Sequence, residues 1–204
     1  MNFPIVTMLF LVVIQVSDIT QHAMIDLDIR DIESAGSDWA VVQMIYEGGK
    51  NSAKASGELR TLKGFSSSYI NSTSKQQEPM AKLGKACWGR FDFGDIIVSA
   101  AIDGEDSQFG NFRTGSVAST ADARKQIIKK GIKFSIVWLY SLHEMESALS
   151  KYAQGNYDVI NGAPHALDEA WAFYVGSMET GDASTGYGPY IAAEKYGQKM
   201  GTYG

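Results

Sequence analysis

Apolar side chains recur at helical spacing in the first quarter of the chain. Between residues 25 and 47 they lie three or four positions apart, which predicts one helix, or two helices with a break at Gly36. Acidic side chains crowd the start of this segment, where they suit the positive end of a helix dipole, and the pair Gly48-Gly49 ends the pattern. The apolar positions are Ile25, Ile29, Ile32, Trp39, Val42 and Tyr46.

The middle of the chain carries a weaker pattern. Residues 48–86 are rich in Gly, Ser, Lys and Asn, and they predict mostly loop with a short helix or two. The apolar run at residues 96–102 fits either a helix or a strand, because its periodicity does not separate the two. Residues 103–118 are punctuated by three glycines and predict a loop.

The clearest helical signal covers residues 120–154. Ser119 or Thr120 is a suitable N-cap, an acidic residue follows in the first turn, and Gly155-Asn156 is a typical stop. Gly131 is a candidate kink inside this helix.

Two more helices are expected towards the end of the chain. One begins at Pro164, a residue suited to the first helical position, and runs to about Met178; the other covers about residues 190–199. Taken together, these patterns predict a mainly α protein: a helical bundle of about four to six helices with long Gly/Ser-rich loops.

One apolar run, at residues 3–16, lies outside this scheme. It is too short to span a bilayer and has the length of the apolar region of a signal peptide. We therefore expect a signal peptide at residues 1–20, cleaved near residues 16–18 or near Ala23, and a single helical domain at residues 21–204. The alternative is a buried N-terminal helix or strand. No second run is apolar enough for a membrane span, so the protein is expected to be secreted, periplasmic or at the cell surface.

The charge balance narrows the class of partner. Eighteen basic residues face 23 acidic ones, and the formal net charge of −5 argues against a nucleic-acid backbone as the main partner. The single cysteine, Cys87, means that the fold depends on packing rather than on internal disulfides. The sequon that begins at Asn71 makes this residue a candidate glycosylation site in an exported protein.

Polar side chains interrupt the apolar stripe of the long helix. On a wheel drawn at 100° per residue, His143 and Glu146 lie on the apolar face, whereas Glu144 points the other way, towards solvent. A carboxylate within an apolar stripe is costly unless it is paired, protonated or bound to a metal. The apolar members of this face are Ile132, Ile136, Leu139, Leu142, Leu149 and Ala153.

The next helix repeats the pattern. His165 and Glu169 are four residues apart and share a face, with Asp168 at its edge. Helices joined by a short connection usually lie antiparallel, which would bring His143 and Glu146 towards this second set. Carboxylates and imidazoles on facing helices are how helical bundles hold iron or manganese. A purely structural network of histidines and glutamates is the alternative.

Other chemistry finds little support. The sequence contains neither a Walker-type phosphate loop nor a G-x-S-x-G elbow. Tyr140, Tyr152 and Tyr174 could act as phenolate ligands of ferric iron, or simply pack with a hydrogen-bonded hydroxyl. The basic residues between positions 124 and 133 are most simply a solvated helix face, although they could also hold an anion.

Several segments resemble one known family. The run Gly162-Ala163-Pro164-His165, followed by Asp-Glu-Ala-Trp-Ala-Phe-Tyr at residues 168–174, is similar to the signature of the algal iron-assimilation proteins. These low-iron-inducible periplasmic proteins are related to the phytotransferrins. The similarity extends over about residues 39–203 and is dense from about residue 124. Weaker matches lie at residues 46–52, 60–62, 142–144, 188–190 and 201–202.

The resemblance implies a secreted or periplasmic protein that takes part in iron uptake under iron shortage. For the phytotransferrin relatives it also implies ferric iron held together with a carbonate anion. The matched positions that could serve as metal ligands are His143, Glu146, His165, Asp168 and Glu169.

We therefore expect a non-enzymatic iron-binding protein. Family members are often longer, and this chain corresponds to about one unit of such a protein, which leaves room for a homo-oligomer. Two alternatives use the same scaffold. One is an extracellular structural or self-assembling protein without metal, and the other is a ferroxidase-type metalloenzyme.

Overall fold

The helices of this protein follow one another along nearly the whole of the chain that the structure covers. The computed structural model describes residues 17–109, 112–113, 120–180 and 185–202, and within these residues the chain is mainly helical, which confirms the predicted fold class. The α-helices are α1 (Thr20–Ala23), α2 (Ile25–Ala35), α3 (Trp39–Gly48), α4 (Leu62–Ser67), α5 (Thr73–Gln77), α6 (Pro79–Trp88), α7 (Phe93–Asp103), α8 (Ala121–Lys130), α9 (Trp138–Ala153), α10 (Ala163–Val175) and α11 (Pro189–Met200). There are more helices than the four to six expected, because residues 62–88 contain three, a short α1 precedes α2, α2 and α3 are separate, and a π-helical segment divides the long helix into α8 and α9.

The remaining regular structure is a small hairpin and a π-helical segment. Strands β1 (Gln108–Phe109) and β2 (Phe112–Arg113) pair antiparallel. The π-helical segment Gly131–Val137 joins α8 to α9, so that residues 121–153 form one continuous helix with an irregular middle. The ambiguous apolar run at residues 96–102 is helical and belongs to α7.

The first helical region divides at Gly36, as one of the two predicted arrangements requires. Gly36 adopts φ 63°, a conformation that favours glycine, and Asp38 caps α3 by accepting from the Val41 amide. Two acidic residues of the first turn of α2 are fully buried. Asp26 accepts from the Ser177 hydroxyl at 2.6 Å, and Asp28 accepts from the Asn51 amide at 2.8 Å. These carboxylates therefore tie α2 to distant segments as well as meeting its dipole.

The long helix begins where the sequence predicts, and its regular α-helical pattern is interrupted from Gly131 onward. Thr120 caps it by accepting from the Ala123 amide, and the π-helical segment starts at Gly131. A side chain at Gly131 would meet Val98 of α7, since an added Cβ would lie 2.7 Å from Val98 Cγ2. Glycine at this position therefore permits close approach of the two helices.

The face of the long helix that turns inward is not the one predicted beyond the π-helical segment. Glu144, expected to face solvent, is only 8% exposed, whereas Leu149, expected in the core, is 70% exposed, and Ala153 is exposed as well. A π-helix bonds residue i to residue i+5 and so takes up more residues per turn than an α-helix. A wheel with a constant 100° step therefore misplaces Glu144, Leu149 and Ala153, although His143 lies largely buried as predicted.

The core lies where α2, α3, α4 and α7 meet the long helix and α10. Its largest fully buried side chains include Tyr46 and Phe173. Helix α10 packs most extensively against α9. One side of α10 lies in solvent, because Leu167 is 53% exposed.

Several sequence features lie on the surface or outside the described residues. Asn71 is exposed in the turn before α5, and Cys87 is exposed on α6. None of the helices in the described part of the chain is long and apolar enough to cross a membrane. The predicted signal peptide lies almost wholly outside the described residues, and its cleavage remains a prediction.

Candidate metal centre

Two histidines and a glutamate converge between α1 and α10. The Nε2 atom of His22 lies 2.7 Å from Glu169 Oε1, and the Nε2 atom of His165 lies 3.2 Å from the same oxygen. All three side chains are less than 21% exposed. We call His22, His165 and Glu169 the central cluster. The shared face predicted for His165 and Glu169 is confirmed. The second imidazole at Glu169 belongs to His22, which lies near the other end of the chain.

Asp168 holds the start of the described chain against α10. Its Oδ2 atom accepts from both the amide and the hydroxyl of Ser17, each at 2.9 Å. The Ser17 hydroxyl also lies 2.8 Å from His165 Nδ1. Asp168 is thus a buried residue that holds Ser17 beside His165.

These contacts fix the tautomer of His165. A hydroxyl has one proton, and the Ser17 hydroxyl donates it to Asp168, so the hydroxyl must accept a proton from His165 Nδ1. The lone pair of a neutral His165 then lies on Nε2 and faces Glu169 Oε1. A lone pair facing a carboxylate is unfavourable unless the ring is protonated or a cation lies between them.

Arg60 borders the central cluster on the side of α4. One guanidinium nitrogen contacts His22 Nε2, and another donates to the Ala53 carbonyl. Arg60 directly precedes Thr61, the N-cap of α4, and follows a short antiparallel bridge between Ala53 and Leu59. The same His22 nitrogen thus faces an acceptor and a donor, whereas Nδ1 of this ring is buried without a hydrogen-bond partner.

Glu144 brings a second carboxylate to the central cluster. Burial, and then the nearby negative charge of Glu169, raise the pKa of Glu144 to about 7. Burial alone would raise the pKa of Glu169 as well, but its hydrogen bond to His22 and the charges of His22 and His165 hold it below its ordinary value. Glu144 is therefore the more readily protonated of the two carboxyl groups, and burial, followed by the charge of Glu144, raises the pKa of the nearby Tyr140 hydroxyl.

A second group lies on the far side of Glu144. His143 Nδ1 contacts Glu78 Oε1 at 2.7 Å, and His143 Nε2 lies 3.8 Å from Glu144 Oε1. Glu146 is half-buried near Glu78, and burial, followed by the charge of Glu78, raises its pKa. We call Glu78, His143 and Glu146 the Glu78 cluster. Glu144 is therefore the link between the two groups.

The structure brings only part of the predicted ligand set together. His165 and Glu169 belong to the central cluster, and His143 and Glu146 belong to the Glu78 cluster. Within the described residues, no three His, Cys, Asp or Glu side chains are already arranged around a common point as metal ligands. Polar atoms nevertheless remain buried without hydrogen-bond partners in both groups, at His22 Nδ1 and Glu146 Oε2.

Four residues of these groups were missed or rejected by sequence reasoning. His22, Arg60 and Glu78 come from parts of the chain far from α9 and α10, and Glu144 was assigned to solvent. One signal could have found His22, since it is one of only three histidines in the chain. Two of the three tyrosine candidates lie away from the clusters or partly in solvent, because Tyr152 is 63% exposed and Tyr174 is half-buried on α10.

Comparison with known families gives one match. Residues 13–190 match the family described as low iron-inducible periplasmic protein. The chain belongs to this family. The description agrees with the periplasmic localisation expected from the sequence and links the low iron-inducible periplasmic proteins to iron assimilation. The matched range includes every residue of the two clusters and begins before Ser17. The comparisons with curated proteins and with solved structures give no match.

Proposed function

We propose that this protein binds iron at the central cluster and serves iron assimilation without catalysing a reaction. The observation that carries the proposal is the convergence of two imidazole Nε2 atoms on one carboxylate oxygen, with a second buried carboxyl group beside them. Imidazole and carboxylate groups are common ligands of iron in helical proteins.

Each residue has a distinct part in this proposal. His165 presents Nε2 because its Nδ1 proton is held by the Ser17 hydroxyl, which is the type of outer contact that orients a metal ligand. His22 supplies the second nitrogen and Glu169 the first oxygen. Glu144 supplies another negative charge when it loses its proton. Two glutamates and two neutral imidazoles would offset two of the three charges of a ferric ion.

Arg60 favours an anion as a further component of the site. Its planar guanidinium can form paired hydrogen bonds with a planar oxyanion. Arg60 contacts His22, and a cation bound to His22 would repel the guanidinium group. A carbonate ion between Arg60 and ferric iron would meet the needs of both. The position of Arg60 beside His22 therefore supports the proposal of ferric iron with carbonate, which the family resemblance also implies.

Iron content measured by elemental analysis tests the proposal. Protein loaded with ferric iron in bicarbonate buffer should retain about one equivalent after desalting. Glu169→Gln should abolish this retention, because it removes the charge on which both histidines converge while keeping the shape of the side chain. The matched control is Glu47→Gln, which alters an exposed glutamate paired with Lys63 and should retain iron fully.

A second arm tests the anion. Omission of bicarbonate should reduce the iron retained by the unaltered chain, and Arg60→Gln should remove that dependence. If the unaltered chain retains no iron with or without bicarbonate, the proposed function is wrong.

A further inference from the structure

A second concave site lies between the long helix and α11, beside Glu33 of α2. The cavity has a volume of about 390 Å³, within the range of sites that bind small molecules. Its walls come from the end of α8, the start of the π-helical segment, residues 185–187 and the outer face of α11. No residue of the central cluster or of the Glu78 cluster lines it.

The cavity is basic although the protein is acidic. Four lysines line it, whereas Glu33 is the only acidic residue among the described side chains of its wall. Glu33 pairs with Lys129 at 2.5 Å and with Lys133 at 2.8 Å. The other two, Lys130 and Lys195, form no ion pair within the described part of the chain. Positive charge is therefore concentrated here in a chain whose formal net charge is −5.

One of these lysines is built into the wall rather than solvated. Lys133 is only 5% exposed, which corrects the expectation that the basic residues between positions 124 and 133 form a solvated face. Its ammonium group is held between Glu33 and the Tyr187 ring, whose centroid lies 5.9 Å away. A buried ammonium group in a fixed position is the kind of polar contact that orients a ligand.

Aromatic side chains complete the cavity. Phe134 and Tyr196 also line the cavity, with ring centroids 6.0 Å apart, and Tyr187 adds a third ring. Phe134 is 37% exposed, so its ring is accessible to a ligand in the cavity. Aromatic faces beside ammonium groups suit a flat apolar ligand that carries negative charge.

We propose that this cavity binds a small planar aromatic anion, with its acidic groups at Lys130, Lys133 and Lys195 and its ring against Phe134 and Tyr196. The ligand class follows from the two kinds of side chain that line the cavity, which are lysines and aromatic rings. Inorganic anions would use the lysines alone, and neutral aromatic compounds would leave the lysine charges unpaired.

Isothermal titration calorimetry of the full chain with phthalate tests this site. Phthalate carries two carboxylates on one aromatic ring and should bind with a saturable one-to-one isotherm. The double variant Lys130→Gln/Lys195→Gln should weaken binding by about tenfold, equivalent to about 1.4 kcal/mol. The matched control Lys82→Gln/Lys85→Gln removes two lysines of α6, outside this wall, and should bind as the unaltered chain does.

Two further ligands separate the aromatic from the electrostatic contribution. Cyclohexane dicarboxylate and sulfate should both bind more weakly than phthalate, and Tyr196→Leu should remove the preference for the aromatic compound. Equal affinities for sulfate and phthalate would mean that only the lysine charges contribute to binding, and this would overturn the proposal. The absence of any phthalate binding would overturn it as well. Both measurements use iron-free protein, so their outcome is independent of the function proposed above.

Discussion

The central cluster and the Glu78 cluster contain the same kinds of side chain but satisfy them differently. His143 has a carboxylate of its own, because its Nδ1 atom pairs with Glu78. In the central cluster, two imidazoles share one oxygen of Glu169. A histidine with its own acceptor is complete as a hydrogen-bond pair. In the central cluster, by contrast, a neutral His165 has no Nε2 proton to donate to Glu169, and Nδ1 of His22 is buried without a hydrogen-bond partner. Unmet hydrogen-bonding capacity of this kind distinguishes a candidate ligand set from a structural pair more sharply than residue type or helical spacing does.

Glu144 lies between the two groups and couples them electrostatically. It is near His143 on one side and repelled by Glu169 on the other, and it is the more readily protonated of the two carboxyl groups. Binding of a cation in the central cluster would release the Glu144 proton. The comparison therefore predicts three sizes of effect. Substitutions in the central cluster should weaken iron binding strongly, and a substitution at Glu144 should change how the free energy of unfolding depends on pH. A substitution at His143 should weaken iron binding only slightly.

The largest effect is expected from the loss of the segment that carries Ser17 and His22. A chain that begins at Met24, as it would after cleavage near Ala23, should lose iron binding by more than about 100-fold, because one ligand and the support of another are removed. A chain that begins at Ser17 is the matched control and should bind iron fully.

Elemental analysis after iron loading measures this difference, and far-ultraviolet circular dichroism checks that both chains fold. Equal iron retention by the two chains would show that the central cluster is not the site. Mass spectrometry of the exported protein gives an independent check. A site that uses Ser17 requires cleavage near residue 16 and not after residue 20, so the first residue should lie at or before Ser17.

The next largest effect is expected from Glu144→Gln in the iron-free protein. The folded-state pKa of Glu144, about 7, is above its ordinary value of 4.5, so the folded state keeps a proton that the unfolded state has lost between these values. The contribution of Glu144 to the free energy of unfolding is therefore greatest below about pH 4.5, and it falls as the pH rises to 7. Glutamine never loses a proton, so the variant should be more stable by about 2–3 kcal/mol above pH 7 and nearly equal below pH 4.5.

Urea unfolding at several pH values measures this difference. Glu47→Gln serves as the comparison at an exposed site and should show no such gain at high pH. A Glu144→Gln variant that is less stable than the unaltered chain throughout the pH range would mean that the carboxylate is stabilised in the fold.

The smallest effect is expected from His143→Ala. If the Glu78 cluster is a structural pair, this change should weaken iron binding by about tenfold or less, through its contact with Glu144. His165→Ala should weaken it far more. Competition with a chelator of known affinity measures both variants, and equal losses would place the Glu78 cluster inside the metal site.

Most of the helices could be predicted from local signals. The break at Gly36, the cap at Thr120 and the Pro-led starts of α10 and α11 all depend on residues close in sequence. The short helices between residues 62 and 88 were predicted only loosely, because their apolar positions are few and their stability comes from packing.

The candidate site could be predicted only in part, for two physical reasons. The pair His165/Glu169 depends on helical spacing alone and was found, whereas His22 and Arg60 reach the site through tertiary packing that no local pattern encodes. Glu144 was misplaced because the π-helical segment changes the helical repeat in front of it. A regular wheel cannot show such a change.

The contact between Ser17 and Asp168 has a consequence for the entropy of the chain. These residues are 151 positions apart, so their hydrogen bonds close a loop that contains most of the domain. Closing such a loop costs several kcal/mol of chain entropy, a cost that grows slowly with length. An ion bound by both His22 and Glu169 would be a second link across nearly the same loop. Because the first link has already closed the loop, the second would cost little further chain entropy. Occupancy would then raise resistance to proteases and heat throughout the domain, including regions far from the ion.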